Sequence, residues 1–193
     1  SPFVGEMSQR YIVDMPARAL TSLYSGFHKA SHEKMRVIFY PGCAATLIYV
    51  HWGVAIIETL KHFGVSVYVP EVNKCCGIPS ATMGELDIYA QQVAENYDYF
   101  DPIEDAHTVV TCCPTCEYGL GTLGQCITGR QHGKEMMDIV LLLAEVLQVK
   151  LPQKVKLDGS STLHVPCHYD HEKDRVLRQF ILDKGETDYQ DLE

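Results

Sequence analysis

No stretch of this chain is both long and apolar enough to cross a bilayer. The most apolar run, Met136 to Val149, covers 14 residues and is interrupted by Asp138 and Glu145, whereas a helical span needs about 20 predominantly apolar residues. No segment has the succession of charged, apolar and small residues that marks a secretory signal. Positive charge is scarce. With 16 Lys and Arg against 25 Asp and Glu, the net charge is −9, which disfavours nucleic acid and anionic membrane surfaces and leaves a basic protein partner open. Eight cysteines in 193 residues are too sparse for a disulfide-stapled secreted scaffold, and the chain is long enough to bury a core without staples. The expected location is the cytoplasm, with any membrane association made through partner subunits. The chain begins at Ser1 rather than Met and stops in the polar segment Asp183 to Glu193, so it is expected to be a piece of a longer polypeptide.

Five of the cysteines fall as Cys43, then Cys75-Cys76, then Cys113-Pro114-Thr115-Cys116. Thiolates in that number hold a soft metal or an iron–sulfur cluster, or carry redox chemistry of their own. Adjacent residues such as Cys75 and Cys76 cannot form an ordinary disulfide without distorting the peptide between them, which favours a metal cluster over a structural bridge. Several common motifs are missing. Glu117, not His, follows the Cys-x-x-Cys, which excludes c-type haem attachment. The compact cysteine run of bacterial ferredoxins is absent as well. Gly119-Leu120-Gly121-Thr122-Leu123-Gly124 matches the dinucleotide pattern literally, but it follows a Cys-x-x-Cys helix start rather than a strand and is assigned to a helix end and loop.

Apolar periodicity gives an alternating order of elements. Val37 to Tyr40, Val65 to Val69, Thr108 to Thr111 and Ser161 to Val165 read as strands, and Ala44 to Phe63, Gly84 to about Phe100 and Met136 to Gln148 as helices. Pro114 suits the first turn of a further helix, with Cys113 at its N-terminus. Strands alternating with helices imply an α/β domain whose mostly parallel sheet is covered by helices on both faces. Functional crevices in such sheets lie beyond the carboxyl ends of the strands. Cys43, Cys75-Cys76, Cys112-Cys113 and Cys167 each follow such an end, so one crevice is expected to collect them. Residues 1–35 stand outside this pattern as a linker or packing segment, with Tyr11-Ile12-Val13 and Leu20 to Phe27 as an entry strand or helix.

The order Cys43, Cys75-Cys76-Gly77, Cys113-x-x-Cys116, with 31 residues between Cys43 and Cys75 and 36 between Cys76 and Cys113, resembles the cysteine-rich CCG domain found in heterodisulfide reductase. Relatives include the iron–sulfur subunits of anaerobic glycerol-3-phosphate, glycolate and lactate dehydrogenases. The resemblance spans about Val37 to Cys116. It implies a CCG domain over residues 36–160, and Leu163 to His168 looks like the opening of an incomplete second copy over 161–193. It also implies that Cys43, Cys75, Cys76, Cys113 and Cys116 are ligands of a [4Fe-4S] cluster, either cubane or non-cubane, with zinc as the alternative. Five thiolates exceed the four of an ordinary cubane, so the extra ligand either bridges irons or stays uncoordinated. Gly77 would let the backbone turn sharply beside the metal, amides near Pro114 would donate to cluster sulfurs, and Ile78, Trp52 and Tyr118 would limit water access.

Other candidates stand behind these five. Cys112 is the vicinal neighbour of Cys113, which is preferred because it completes the Cys-x-x-Cys. Cys167 belongs either to the second copy or to this site, and His168 beside it could join a zinc site, for which only two or three ligands are local. Cys126 reads as a plain thiol. His51, His62 and His107 read as packing or surface residues, and His164 and His168 as proton donors only in a complete second copy. Two functions compete. One is an electron-transfer or catalytic iron–sulfur domain of an oxidoreductase, receiving electrons from a flavin or iron–sulfur partner protein and passing them to a disulfide, a quinone or another carrier. The alternative is a thiol–disulfide or zinc-thiolate protein using Cys113 and Cys116.

Overall fold

The computed structural model describes residues 16–131, 133–150, 154–165, 167–169 and 171–189, so Tyr11-Ile12-Val13 lies outside the described residues. In chain order these form α1 (Leu20–Tyr24), β1 (Gly26–His28), β2 (Met35–Tyr40), α2 (Gly42–Leu47), α3 (Val50–His62), β3 (Val65–Val69), α4 (Ile78–Thr82), α5 (Leu86–Phe100), β4 (Thr108–Thr111) and α6 (Pro114–Leu120). They continue with α7 (Thr122–Thr128), β5 (Glu135–Asp138), α8 (Ile139–Leu141, running on as a π-helical turn over Leu142–Val146), β6 (Val155–Ser161), α9 (His171–Lys184) and β7 (Gly185–Tyr189).

The main sheet has the order β1-β3-β2-β4-β5. β2, β3, β4 and β5 are mutually parallel, and β1 closes one edge antiparallel to β3. The continuous apolar runs of β2, β3 and β4 are explained by burial on both faces. Alternation along β2 sends Ile38 and Tyr40 into a core with Tyr89, Val93, Tyr97 and Phe100 of α5 and Leu120 of α6. Val37 and Phe39 enter the opposite core with Leu20 of α1, Ile57 and Leu60 of α3, and Leu142. The α/β class with helices on both faces is thus observed. Segment 20–28 supplies both a short helix and the edge strand, and Leu20 packs so closely on α3 that a Cβ on Gly53 would lie 2.3 Å from its Cδ2.

Three elements differ from expectation. The Ala44 to Phe63 helix is two helices, because the amides of Ile48 and Tyr49 both turn back to the carbonyl of Ala44 within a β-branched and aromatic run of modest helix propensity. The segment from Met136 begins as a strand rather than a helix. Met136 and Met137 pair beside Val109 and Val110, an example of sheet packing overriding a period that fits either structure. Asp138 then caps the following helix by accepting from the Val140 amide at 2.7 Å. The fourth parallel strand of the sheet is therefore β5 and not Ser161 to Val165. The strand of that region, β6, ends at Ser161 and pairs in parallel with β7 in a separate two-stranded sheet, and residues 162–165 have no regular structure.

Candidate functional site

Parallel strands bring the segments after β2, β3 and β4 to one end of the sheet, and each carries motif cysteines. After β2 the chain turns at Gly42, whose φ of +66° opens α2, and a Cβ there would lie 3.1 Å from Cys116 Sγ. Only glycine allows this approach and this backbone angle together. The loop after β3 is pinned on both sides of the vicinal pair. The Tyr40 hydroxyl donates to the Lys74 carbonyl at 2.5 Å, and Asn96 Nδ2 donates to the Cys75 carbonyl at 2.9 Å. After β4, Cys113 is the N-cap of α6 with Pro114 in the first turn, which suits a residue lacking an amide hydrogen.

The structure brings Cys76, Cys113 and Cys116 together. The Cys116 thiol packs beside both others and gives up its proton less readily than usual, because that single proton is held toward the sulfurs of Cys113 and Cys76. Cys113 is correspondingly lowered to about 6, first by the bond from Cys116 and further by the amides of Cys116 and Thr115. Cys76 is lowered to about 7 by the bond from Cys116, against the effect of its burial. Cys113 and Cys76 therefore favour thiolate character, the form that binds metals and attacks disulfides, while Cys116 keeps its proton. Cys75 lies beside Cys76, is raised chiefly by burial, and accepts from the Gly77 amide at 3.5 Å. Cys43 sits on the exposed rim, in electrostatic range of Cys75 and Tyr40.

The other candidates lie elsewhere. Cys112 belongs to the opposite core beside α3, where it faces the Pro41 carbonyl at 3.7 Å, and burial pushes it up to about 12. In the protein without a bound group, iodoacetamide should modify Cys113 with a rate that rises through about pH 6 and levels off by neutrality, because its thiolate is fully formed above that value. Cys112 should stay unmodified at pH 8, and peptide mapping of the alkylated protein checks both. Cys126 is exposed on α7 and Cys167 is exposed with its sulfur 3.6 Å from His168 Nδ1. Cys167 thus follows an irregular segment, not the end of a strand in the main sheet. His168 meets α6 through Thr115 and stacks on Tyr118. His51 and His62 pack on Trp52 and Phe63 respectively, and the carbonyl of His107 accepts from Glu135. Ile78 is buried near the thiols, whereas Trp52 is half exposed. The glycines at 119, 121 and 124 serve packing: a Cβ on Gly119 would come 2.6 Å from Ile78, and one on Gly124 2.8 Å from the Tyr97 hydroxyl.

The donor set is five free thiols, the right type for iron or another soft metal. Gly42 leaves a cradle beside Cys116. Thr46, one turn beyond Cys43 on α2, has a buried hydroxyl with no hydrogen-bond partner among the described residues, an arrangement that normally costs stability unless something accepts the proton. The residues fit a thiolate-held group. Among the described residues, no three Cys, His, Asp or Glu side chains close on one point in the way a single metal ion requires.

Comparison with known proteins agrees with this chemistry. The chain is 34% identical over 143 residues to an uncharacterized iron-sulfur protein of Methanocaldococcus jannaschii, covering 74% of this chain and 27% of that protein. It is 27% identical over 163 residues to a subunit of the fumarate reductase (CoM/CoB) of Methanothermobacter marburgensis, covering 81% of this chain and 31% of the relative. With lactate utilization protein A of Anoxybacillus flavithermus it shares 24% identity over 143 residues, 69% of this chain and 58% of that protein. The chain thus spans about a third or less of the length of the first two. No solved structure matches it. Residues 37–121 match the cysteine-rich domain named CCG, the domain to which the thiol spacing of this segment points.

Proposed function

We propose that Cys43, Cys75, Cys76, Cys113 and Cys116 hold an iron–sulfur cluster of the [4Fe-4S] class, and that the chain is the electron-transfer or catalytic part of a heterodisulfide-reductase-like oxidoreductase. The observation that carries this reading is the packing of Cys76, Cys113 and Cys116 in one core at the carboxyl ends of parallel strands. Relatives named as iron–sulfur proteins and as part of a reductase support it. When bound, such a cluster accepts and releases electrons singly. The chain's own residues supply the rest. Cys76 and Cys113, already disposed to lose their protons, meet the metal at little cost. Tyr40 and Ile78 exclude water from the inner side, while the exposed Cys43 leaves the outer rim open to a partner or substrate. In this reading the chain passes electrons between a flavin or iron–sulfur centre of a partner protein and a disulfide, quinone or other carrier. Residues 161–193 open a second copy in the same reading, and no helix among the described residues is long and apolar enough to cross a membrane.

A second reading rests on the same thiol pair. Cys113 is lowered and Cys116 retains its proton, the arrangement of a thiolate–thiol pair that can be oxidised to a disulfide by a partner oxidant with release of two electrons and, at neutral pH, one proton. Anaerobic isolation decides between them. About four irons and four acid-labile sulfides per chain, with matching Mössbauer and electron paramagnetic resonance spectra, are expected. Zinc or no metal, together with a reducible disulfide between Cys113 and Cys116, would instead establish the dithiol.

A further inference from the structure

Behind the Cys-x-x-Cys helix lies a buried polar group that the proposed electron transfer does not use. Glu117, next to Cys116 on α6, is 7% exposed, and Lys173 Nζ on α9 donates to its Oε1 at 2.6 Å. Asp138, at the end of β5 and 2% exposed, is held above the usual carboxylate range by burial, against the opposing effects of Tyr169 and the positive charge of Lys173. Tyr169 is in turn within electrostatic range of Glu117 and Cys113. His168 Nδ1 lies 3.1 Å from Thr115 Oγ1, and its ring stacks on Tyr118 with centroids 4.8 Å apart. His168 and Lys173 therefore grip α6 at Thr115, Glu117 and Tyr118, within or directly beyond the Cys113–Cys116 motif.

A clamp alone would not need charges. Apolar side chains of similar volume hold packed elements as well as a buried ion pair or better, and removing one partner leaves a charge that the interior cannot solvate. What the ion pair adds is a charge balance. Glu117 adjoins a thiol proposed to hold a group whose net charge changes by one on reduction, and a neighbouring charge in a poorly polarisable surrounding shifts that equilibrium strongly. We propose that the Glu117–Lys173 pair positions α6 against α9 and, through its two opposite charges beside the thiols, sets the reduction potential of the group they hold. The inference rests on the iron–sulfur reading above. Glu117 and Lys173 are positioning residues and touch no substrate in it.

The test uses the full chain, loaded anaerobically, as wild type, Glu117→Gln, Lys173→Met and the double variant. Iron content, circular dichroism and the midpoint from a potentiometric titration followed by electron paramagnetic resonance at pH 8 are measured for each. Glu117→Gln removes one negative charge from beside the thiols and should favour the reduced form by on the order of tenfold, which for a one-electron couple is about 59 mV. Lys173→Met should shift the midpoint in the opposite direction by a similar amount, and the double variant should return close to wild type. If Lys173→Met fails to load, the double variant compared with Glu117→Gln reports the same change of charge. Loaded variants whose midpoints coincide with wild type, even with lowered iron content and melting temperature, reduce the pair to a structural clamp and overturn the inference alone. A wild-type chain that takes up no iron removes the iron–sulfur reading and this inference with it.

Discussion

Serine at Cys76 or Cys116 is expected to abolish stable iron–sulfur loading, while serine at Cys112 or Cys126 leaves it intact. The four positions divide on structural grounds. Cys116 is the centre of the thiol group, within reach of both Cys76 and Cys113, so its loss removes a donor and also the bonds that lower its two neighbours. Serine oxygen is a poor substitute for a thiolate toward iron. Altering residues that only orient metal ligands commonly weakens binding about 10–100-fold, so replacing a ligand itself should cost at least that much. Cys112 lies in the other core and Cys126 on an exposed helix, so neither change reaches the thiols. Iron and sulfide content after anaerobic reconstitution supplies the comparison. Because Cys76 and Cys116 also pack in the core, melting of the unloaded variants must be recorded beside it. Full loading of a folded Cys116→Ser variant would show that the cluster assignment is wrong.

The thiol pattern was legible because it needed only topology. Once β2, β3 and β4 are recognised as parallel, their carboxyl ends must share one edge of the sheet, and the cysteines follow those ends in the sequence. β3 and β4 could be delimited residue by residue, since each is a short β-prone run bounded by Gly, Pro or Cys and buried on both faces. β5 could not. Glu135–Asp138 is four residues long with two methionines at its centre, and methionine is as much at home in a helix. Nothing local distinguishes the pattern until β4 offers an edge. The separation of Cys112 from Cys113 was legible only by the spacing of the motif, but its physical basis is strand alternation carried one step past β4, which sends the two thiols into different cores. The Glu117–Lys173 pair gave no signal at all. Its partners stand 56 residues apart, and a glutamate on a short helix and a lysine on a charged one look like solvated surface until both elements are packed.

Alanine at Gly77 should be among the most damaging single changes outside the cysteines. Gly77 follows the vicinal pair with φ +88°, and a Cβ there would lie 2.5 Å from Tyr89 Cδ2 and 3.1 Å from Cε2. Tyr89 has no freedom to withdraw. Its ring is fully buried, and its hydroxyl donates to the Gly119 carbonyl at 2.5 Å. Gly119 is itself pressed against Ile78, the residue after Gly77, so the turn, α5 and α6 form a closed ring of contacts. Holding alanine in the left-handed region costs about 1–2 kcal/mol, and forcing a methyl group into a filled core adds about 1–3 kcal/mol. A total loss of about 2–5 kcal/mol is expected in urea unfolding of the metal-free protein. Gly84 is the internal reference: its φ is +81° and nothing lies within 4 Å of its would-be Cβ, so alanine there incurs the backbone cost alone. The difference between the two variants isolates the contact with Tyr89. Because the strain at Gly77 acts directly on Cys76, whose sulfur accepts from the amide two residues on, that of Ile78, Gly77→Ala should also load less iron than Gly84→Ala under conditions where both are folded. Equal stability and equal loading of the two alanine variants would mean that the turn yields freely, and that the placement of Cys76 does not depend on the packing of Tyr89.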